Sequence, residues 1–458
     1  MAEADALPDL GHASAIVMSR AQQTAFGERF LRHAQKTQHF VRDPGVLAFV
    51  RQLGRKLVAA SPDPQIHFRF YIIRSPVVNA FSVPGGYVFL NTGVIMAARN
   101  EDELAAVMAH EISHDTQRHI PRLIALSEKL SWAALAAMLV GVALMSSSQS
   151  EGGAAAISLS SAGLASETLA HERGYESEAD HVGLRTMARA GFNPHAMAAF
   201  FVRLKTYNRF ASTDVPESWR NHPATDIRIA EAENLASRYP NPPIANRPSF
   251  DRLQVALLAE QADPDEAWMR IQELLVGRHD PSARRYGQAL IDLRRGRFAA
   301  AGRTLASLAR QAPRVVAYQL ALANLALDTN HYQQAIAAFA KASALRPHSL
   351  WLATLYVRSL LMSGATVKAL TLAKHLVARH PYRASLYRLL AHAFALRNDY
   401  LRAHEALAEA HNLEGDTKGA DRELGLAAPF ATSAAARGRL KTLTTAVHEG
   451  WTAPPAFP

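Results

Sequence analysis

Two histidines four residues apart, with a glutamate beside the first, form the densest chemistry in this sequence: His110-Glu111-Ile112-Ser113-His114. On a helix that spacing puts both imidazoles on one side, one turn apart. Two ring nitrogens can then share one tetrahedral Zn²⁺. Such an ion draws the pKa of a bound water toward neutrality, and Glu111 is placed to accept its proton. The five-residue pattern also falls on ordinary amphipathic helices with two surface histidines. A third ligand separates the two readings, because a hydrolytic zinc site takes three protein ligands and keeps one position open.

Downstream, the stretch from Glu172 to Asp180 supplies that candidate. Glu176 completes a His-His-Glu set. Asp180, one turn further, can accept a hydrogen bond from the free N–H of a ligand histidine and fix its ring. The remaining acids, Glu172 and Glu178, read as a solvated helix face. His119 and Arg118 close the first motif helix, where a C-terminus favours cations in any case.

The elements that position these groups are legible nearby. Asn100 with Glu103 three positions on has the spacing of a capping box, and Leu104, Val107, Met108 and Ile112 give one buried helical face running toward His119. Upstream, residues 66–73 (IHFRFYII) alternate and are aromatic-rich, a strand signal, and residues 79–82, the Pro84-Gly85-Gly86 turn and residues 87–90 suggest a hairpin. An edge strand beside a cleft can pair with an extended peptide backbone. The helix bearing Glu176 stops at Ala190-Gly191, before Pro194. Residues 130–145 (LSWAALAAMLVGVALM) are the most apolar stretch but fall short of the roughly twenty needed to span a bilayer. They read as a buried helix; the alternative is a helix at a membrane surface or over the site, ahead of a Ser/Gly/Ala-rich linker.

At 458 residues the chain exceeds one ordinary core, and 49% hydrophobic residues with 20% charged argue that most of it folds. Absence of cysteine excludes disulfides, thiolate metal ligands and a thiol nucleophile. The first residues, MAEADALP, show no basic or apolar leader.

After the proline-rich segment 241–248 the chain repeats. Pro313, Pro347 and Pro381 are 34 apart, and Gly415 follows after another 34. Before them recur a turn Gly or Asn, an aromatic two later and an alanine five later: Asn330, Tyr332, Ala335, and Asn398, Tyr400, Ala403. This is the tetratricopeptide signature, an array of helix pairs, with residues 251–279 as a degenerate first repeat. Residues 281–415 hold 18 Lys+Arg against 6 Asp+Glu, a balance of +12, so the remainder of this +10 chain is −2. Arginines at 284, 285, 294, 295, 297, 303 and 310 favour acidic partners or anionic lipid headgroups. No aromatic-interleaved basic motif points to nucleic acid.

Four motifs in order, Asn79–Gly86 (NAFSVPGG), HEISHDTQRH from His110, the E-x-x-A-D box at Glu176–Asp180 and His222-Pro-Ala-Thr-Asp-Ile-Arg228, resemble the BepA-type periplasmic metallopeptidases. That family shares a clan with the CAAX prenyl proteases and HtpX. The resemblance implies a mainly α chain: an α+β gluzincin-like metallopeptidase domain over 1–245, then an α-solenoid of tetratricopeptide repeats over 246–458. It implies one Zn²⁺ on His110, His114 and Glu176, Glu111 as general base, Asp180 as support, and a substrate-pairing edge strand. His222 either stabilises the oxyanion or plugs the fourth metal position; the plain alternative is a capping histidine before Pro223. Arg228 either helps hold the oxyanion and its loop or forms a surface salt bridge. The implied setting is the periplasm, with a signal peptide removed. The implied partners are misfolded or stalled outer-membrane proteins and the β-barrel assembly machinery; a peripheral membrane contact is suggested separately by the arginines and the apolar stretch. A second reading makes the chain a chaperone or assembly scaffold whose metal site His222 silences.

Overall fold

The computed structural model describes residues 18–41, 43–126, 165–210, 225–242, 248–261, 263–278, 280–347 and 349–449. The apolar stretch 130–145, His222 and the linker residues 243–247 lie outside that set, as does the side chain of Glu172. Among the described residues no helix is long and apolar enough to cross a membrane. The chain divides into two compact units, Met1–Gly287 and Gln288–Pro458.

In the first unit, helix α1 (Arg20–Thr37) begins with a complete capping box formed by Ser19 and Gln22. Helix α2 (Pro44–Ala60) begins where the Asp43 carboxylate accepts from Val46 N, with proline in its first turn. Strands β1 (Arg69–Ile73), β2 (Ala80–Val83) and β3 (Tyr87–Asn91) form one sheet in the order β1-β3-β2. β3 lies parallel to β1 and antiparallel to β2, so β2 is an edge of the sheet. The tight β2–β3 connection requires its two glycines. Gly85 and Gly86 have φ of 96° and 85°, and a Cβ at either would meet backbone of Gln23 or His67 at 2.7 Å. Phe30, Phe81 and Phe89 interlock on one sheet face against α1, edge-to-face and stacked, at centroid distances of 5.0–6.0 Å.

Helix α3 (Thr92–Ala97) leads to α4 (Glu101–Thr116), the helix of the His-Glu motif. Asn100 Oδ1 accepts from Glu103 N at 2.9 Å, but the Glu103 carboxylate accepts from Arg99 N and Arg203 rather than closing a full capping box. The spacing predicted one buried face; α4 is instead buried nearly all round. Its alanines 105, 106 and 109 leave room for α2, β2, α6 (Ala165–Arg189) and α7 (His195–Phe210) to pack on different sides. Gly183 of α6 is one such approach: a Cβ there would sit 3.2 Å from the backbone of Ala109 and His110. The motif helix also ends earlier than His119. Arg118 adopts the left-handed conformation (φ 56°), and a new helix, α5 (His119–Leu126), starts behind it.

Helix α8 (Asp226–Ala236) is capped by Thr225. Helices α9 (Pro248–Gln261) and α10 (Pro264–Leu274) complete the first unit's described elements ahead of α11 (Pro281–Arg294). Gln254 of α9 donates to both Ile95 O and Ala98 O at 2.8 Å, closing the C-terminal end of α3, and Phe250 packs on Phe49.

The second unit continues as antiparallel helices: α12 (Phe298–Gln311), α13 (Val316–Asp328), α14 (Tyr332–Leu345), α15 (Leu350–Met362), α16 (Thr366–Arg379), α17 (Ala384–Ala395), α18 (Tyr400–Leu413), α19 (Thr417–Ala427) and α20 (Ala434–Glu449). The repeat is written into the backbone. Gly296, Asn330, Gly364 and Asn398, spaced 34 apart, all take left-handed φ between 59° and 78° to turn one helix into the next. Ala301, Ala335, Ala369 and Ala403, five residues after each, are all buried. On α18, Glu405 pairs with Arg439 at 3.1 Å. Glu409, one turn on and 1% exposed, has neither oxygen hydrogen-bonded among the described residues.

Candidate metal centre

Helices α4 and α6 bring together one group of three metal-ligating side chains among the described residues: His110, His114 and Glu176. Their donor atoms approach closely. His110 Nε2 lies 2.9 Å from His114 Nε2 and 3.4 Å from Glu176 Oε2, and His114 Nε2 lies 3.3 Å from Glu176 Oε1. Ligand bonds of about 2.0–2.1 Å at tetrahedral angles hold donors about 3.3–3.4 Å apart; each histidine meets one Glu176 oxygen at that separation, and the two imidazoles stand somewhat closer. Both histidines present Nε2 to the centre because their Nδ1 atoms are held from behind. His110 Nδ1 lies 2.8 Å from Asp180 Oδ1, and His114 Nδ1 lies 2.9 Å from His119 Nδ1. A held Nδ1 sets both tautomer and ring orientation.

The electrostatics favour positive charge here. Burial pushes the His110 imidazole pKa down, yet Glu176 and the Asp180 hydrogen bond outweigh it and raise it to about 10. A divalent cation answers the same demand. Burial would raise the Asp180 carboxyl, but hydrogen bonds from His110 and Arg228 hold it below its ordinary value. Arg228 is therefore not a surface ion pair. It is buried, grips Asp180 through Nε and Nη2 at 2.7 and 2.8 Å, and reaches Glu176 Oε2 at 3.0 Å. Its guanidinium stacks on Phe201 with 4.7 Å to the ring centroid. Asp180 thus ties α4, α6 and α8 together through His110 and Arg228.

Two other residues depart from the sequence reading. Glu178 is not a solvated acid: it accepts from Arg122 at 2.8 Å and lies 3.3 Å from His119 Nε2. Burial pushes its pKa up, but those two partners bring it down to about 2. His119 is not a surface cation. It is 3% exposed, stacks on Tyr175 and links His114 to Glu178. The only sequence signal for this role was a third histidine five residues after the second, and the left-handed Arg118 that redirects it had no signature.

A cleft opens beside the centre, lined by Asn79, Ala80, His110, Glu111, Phe201 and Arg228 among others. Edge strand β2 therefore borders the two motif residues His110 and Glu111. Asn79, just before β2, is buried, and its amide Nδ2 has no hydrogen-bond partner among the described residues. It stood in the sequence only as part of a motif, with no role of its own. Asp115, on the side of α4 that meets the hairpin turn, accepts from Gly86 N at 2.7 Å and so ties that turn to the motif helix. His222 lies outside the described residues, so nothing places it against this centre.

Residues 48–236 match the peptidase family M48, and residues 326–393 match a tetratricopeptide repeat family. The chain is 34% identical to the putative beta-barrel assembly-enhancing protease of Vibrio cholerae, over 67% of this chain and 64% of that protein. It is 28% identical to the beta-barrel assembly-enhancing protease of Yersinia pestis, over 97% of this chain and 90% of that one. It is 31% identical to the mitochondrial metalloendopeptidase OMA1 of Schizosaccharomyces pombe, over 40% of this chain and 51% of that one. With the His-Glu motif helix, the Glu176 helix and the 34-residue turns in place, the chain is a peptidase family M48 domain followed by tetratricopeptide repeats.

Proposed function

We propose that this chain is a zinc-dependent endopeptidase, with catalysis assigned to residues 1–245 and recruitment of substrate or assembly machinery to residues 246–458. The observation that carries the proposal is the convergence of His110, His114 and Glu176 at a cleft lined by Glu111. Two imidazoles and one carboxylate without sulfur suit Zn²⁺ better than the oxygen-seeking Mg²⁺ or Ca²⁺. When bound, the metal supplies the Lewis acidity that makes water nucleophilic near neutral pH. Glu111 accepts the proton of the attacking water and delivers it to the leaving amine. Asp180 and His119 keep the two imidazoles in the tautomer that presents Nε2. Arg228 helps hold the Asp180 carboxyl below its ordinary pKa and lies 3.0 Å from Glu176. β2 pairs with an extended substrate backbone, and the buried Asn79 amide donates to it. His222 stabilises the oxyanion or plugs the site at rest. His222→Ala distinguishes these roles by lost or increased proteolysis respectively.

The relatives named for β-barrel assembly support placing this activity in the periplasm, on misassembled outer-membrane barrels. The test is Glu111→Gln in the full chain. Cleavage of an unfolded protein substrate is expected to fall about 10²–10⁴-fold while zinc content by mass spectrometry stays at one per chain. Proteolysis at the original rate in that variant overturns the assignment.

A further inference from the structure

The helices of the second unit pack each on the next and alternate in direction. The connections after α12, α14 and α16 therefore fall at one end of the array, and the left-handed Gly and Asn turns fall at the other. Between residues 293 and 398 the sequence has 15 Lys+Arg and one acid, Asp328, a balance of +14 in a chain whose total is +10. That acid closes α13, at the end of the left-handed turns. The opposite end carries Arg310 in the last turn of α12 and Arg314 on the first connection, Arg346 on the second, and Arg379 at the end of α16 with Arg383 on the third, all exposed. Among the described residues Arg310, Arg314, Arg379 and Arg383 form no salt bridge. Tyr382, between the last two, is 70% exposed.

We infer that this row of connections docks the repeat array on an anionic phospholipid surface. The spacing selects the occupant. Helix axes lie about 8–10 Å apart, so three connections two helices apart span roughly 40 Å. One acidic side chain or a free phosphate meets only one connection at a time, whereas a headgroup plane meets all three. Nucleic acid presents a phosphate about every 3.4 Å along each strand and calls for a denser cationic track than one or two arginines per connection. A tyrosine among arginines is the pairing found where side chains meet a bilayer interface, the ring at the headgroup level and the cations on phosphate. This docking is independent of the peptidase chemistry.

The test is flotation of the full chain with phosphatidylcholine vesicles, with and without about one third phosphatidylglycerol, at about 50 mM and about 500 mM salt. Binding is expected only with phosphatidylglycerol and only at low salt. Each cation near such a surface contributes about a fivefold factor, so Arg314→Gln, Arg379→Gln and Arg383→Gln together should weaken binding about a hundredfold. A control removes the same charge away from this end of the array: Arg303→Gln, Arg358→Gln and Lys368→Gln, expected to change binding less than about tenfold. Far-UV circular dichroism establishes that both variants fold. Equal loss in the two triple variants overturns the inference, because net charge alone would then suffice. So does absence of vesicle binding by a chain that binds poly-glutamate or duplex DNA.

Discussion

Glu409 offers a prediction whose sign and size follow from its surroundings. Its carboxyl is 1% exposed on α18 with no hydrogen-bond partner among the described residues, and burial raises its pKa from 4.5 to about 8. The folded repeat therefore holds a proton that the unfolded chain releases above pH 4.5. Stability contributed by this group is fully present below that pH and is lost as pH rises to about 8, after which it stays flat. At about 1.4 kcal/mol per pH unit the ceiling is about 5 kcal/mol, of which about 3 is already lost at pH 7. Glu409→Gln keeps the shape of the protonated acid and removes the ionisation. The assay is a urea titration at pH 5, 7 and 9 with pulsed hydrogen exchange, read on peptides from Tyr400–Leu413. In the unaltered chain the midpoint for this helix should fall most between pH 5 and 7 and by less between pH 7 and 9. The variant should show little slope and be the more stable by several kcal/mol at pH 9. Identical slopes in the two proteins would show that Glu409 ionises freely in the fold and refute the reasoning.

Three further outcomes follow. Arg228→Met leaves the Asp180 and Glu176 carboxylates buried beside one another, and should destabilise the first unit by about 3–5 kcal/mol in calorimetry; a loss under about 1 kcal/mol counts against a buried network. Asp180→Asn removes the carboxylate that holds His110 Nδ1 and should weaken zinc binding about 10–100-fold in competition with a metallochromic chelator, with unchanged affinity as the contrary result. Gly93→Ala forces a Cβ to within 2.2 Å of Pro76 O and 2.5 Å of Val77 O, and should cost about 1–3 kcal/mol by shifting the start of α3; full thermal stability would show that the loop yields freely.

What could be read in advance was what repeats locally. The i, i+4 spacing of His110 and His114, the same spacing of Glu176 and Asp180, and the 34-residue return of Gly or Asn and Ala are each produced by one helix or one turn. What escaped depended on chain segments meeting. Arg228 is 48 residues from Asp180 in sequence, and its grip on that carboxylate exists only once α8 lies against α6. His119 reads as the last residue of a helix, whereas the left-handed Arg118 turns it back onto His114. Glu178 sits two residues from Glu176, a spacing that on an isolated helix points it elsewhere, and only α5 supplies the Arg122 that engages it. The all-round burial of α4 was likewise hidden, because alanines at 105, 106 and 109 look neutral to periodicity until neighbours use them as points of contact.

The pair of hydrogen bonds from Gln254 has a practical bearing on how this protein can be dissected. A fragment ended at residue 245 would strip the carbonyls of Ile95 and Ala98 of their shared donor and leave Phe49 without Phe250. Such a truncate should be sticky and prone to precipitate for reasons unrelated to proteolysis. A soluble minimal enzyme is better sought by cutting beyond Gly287, where the first compact unit closes.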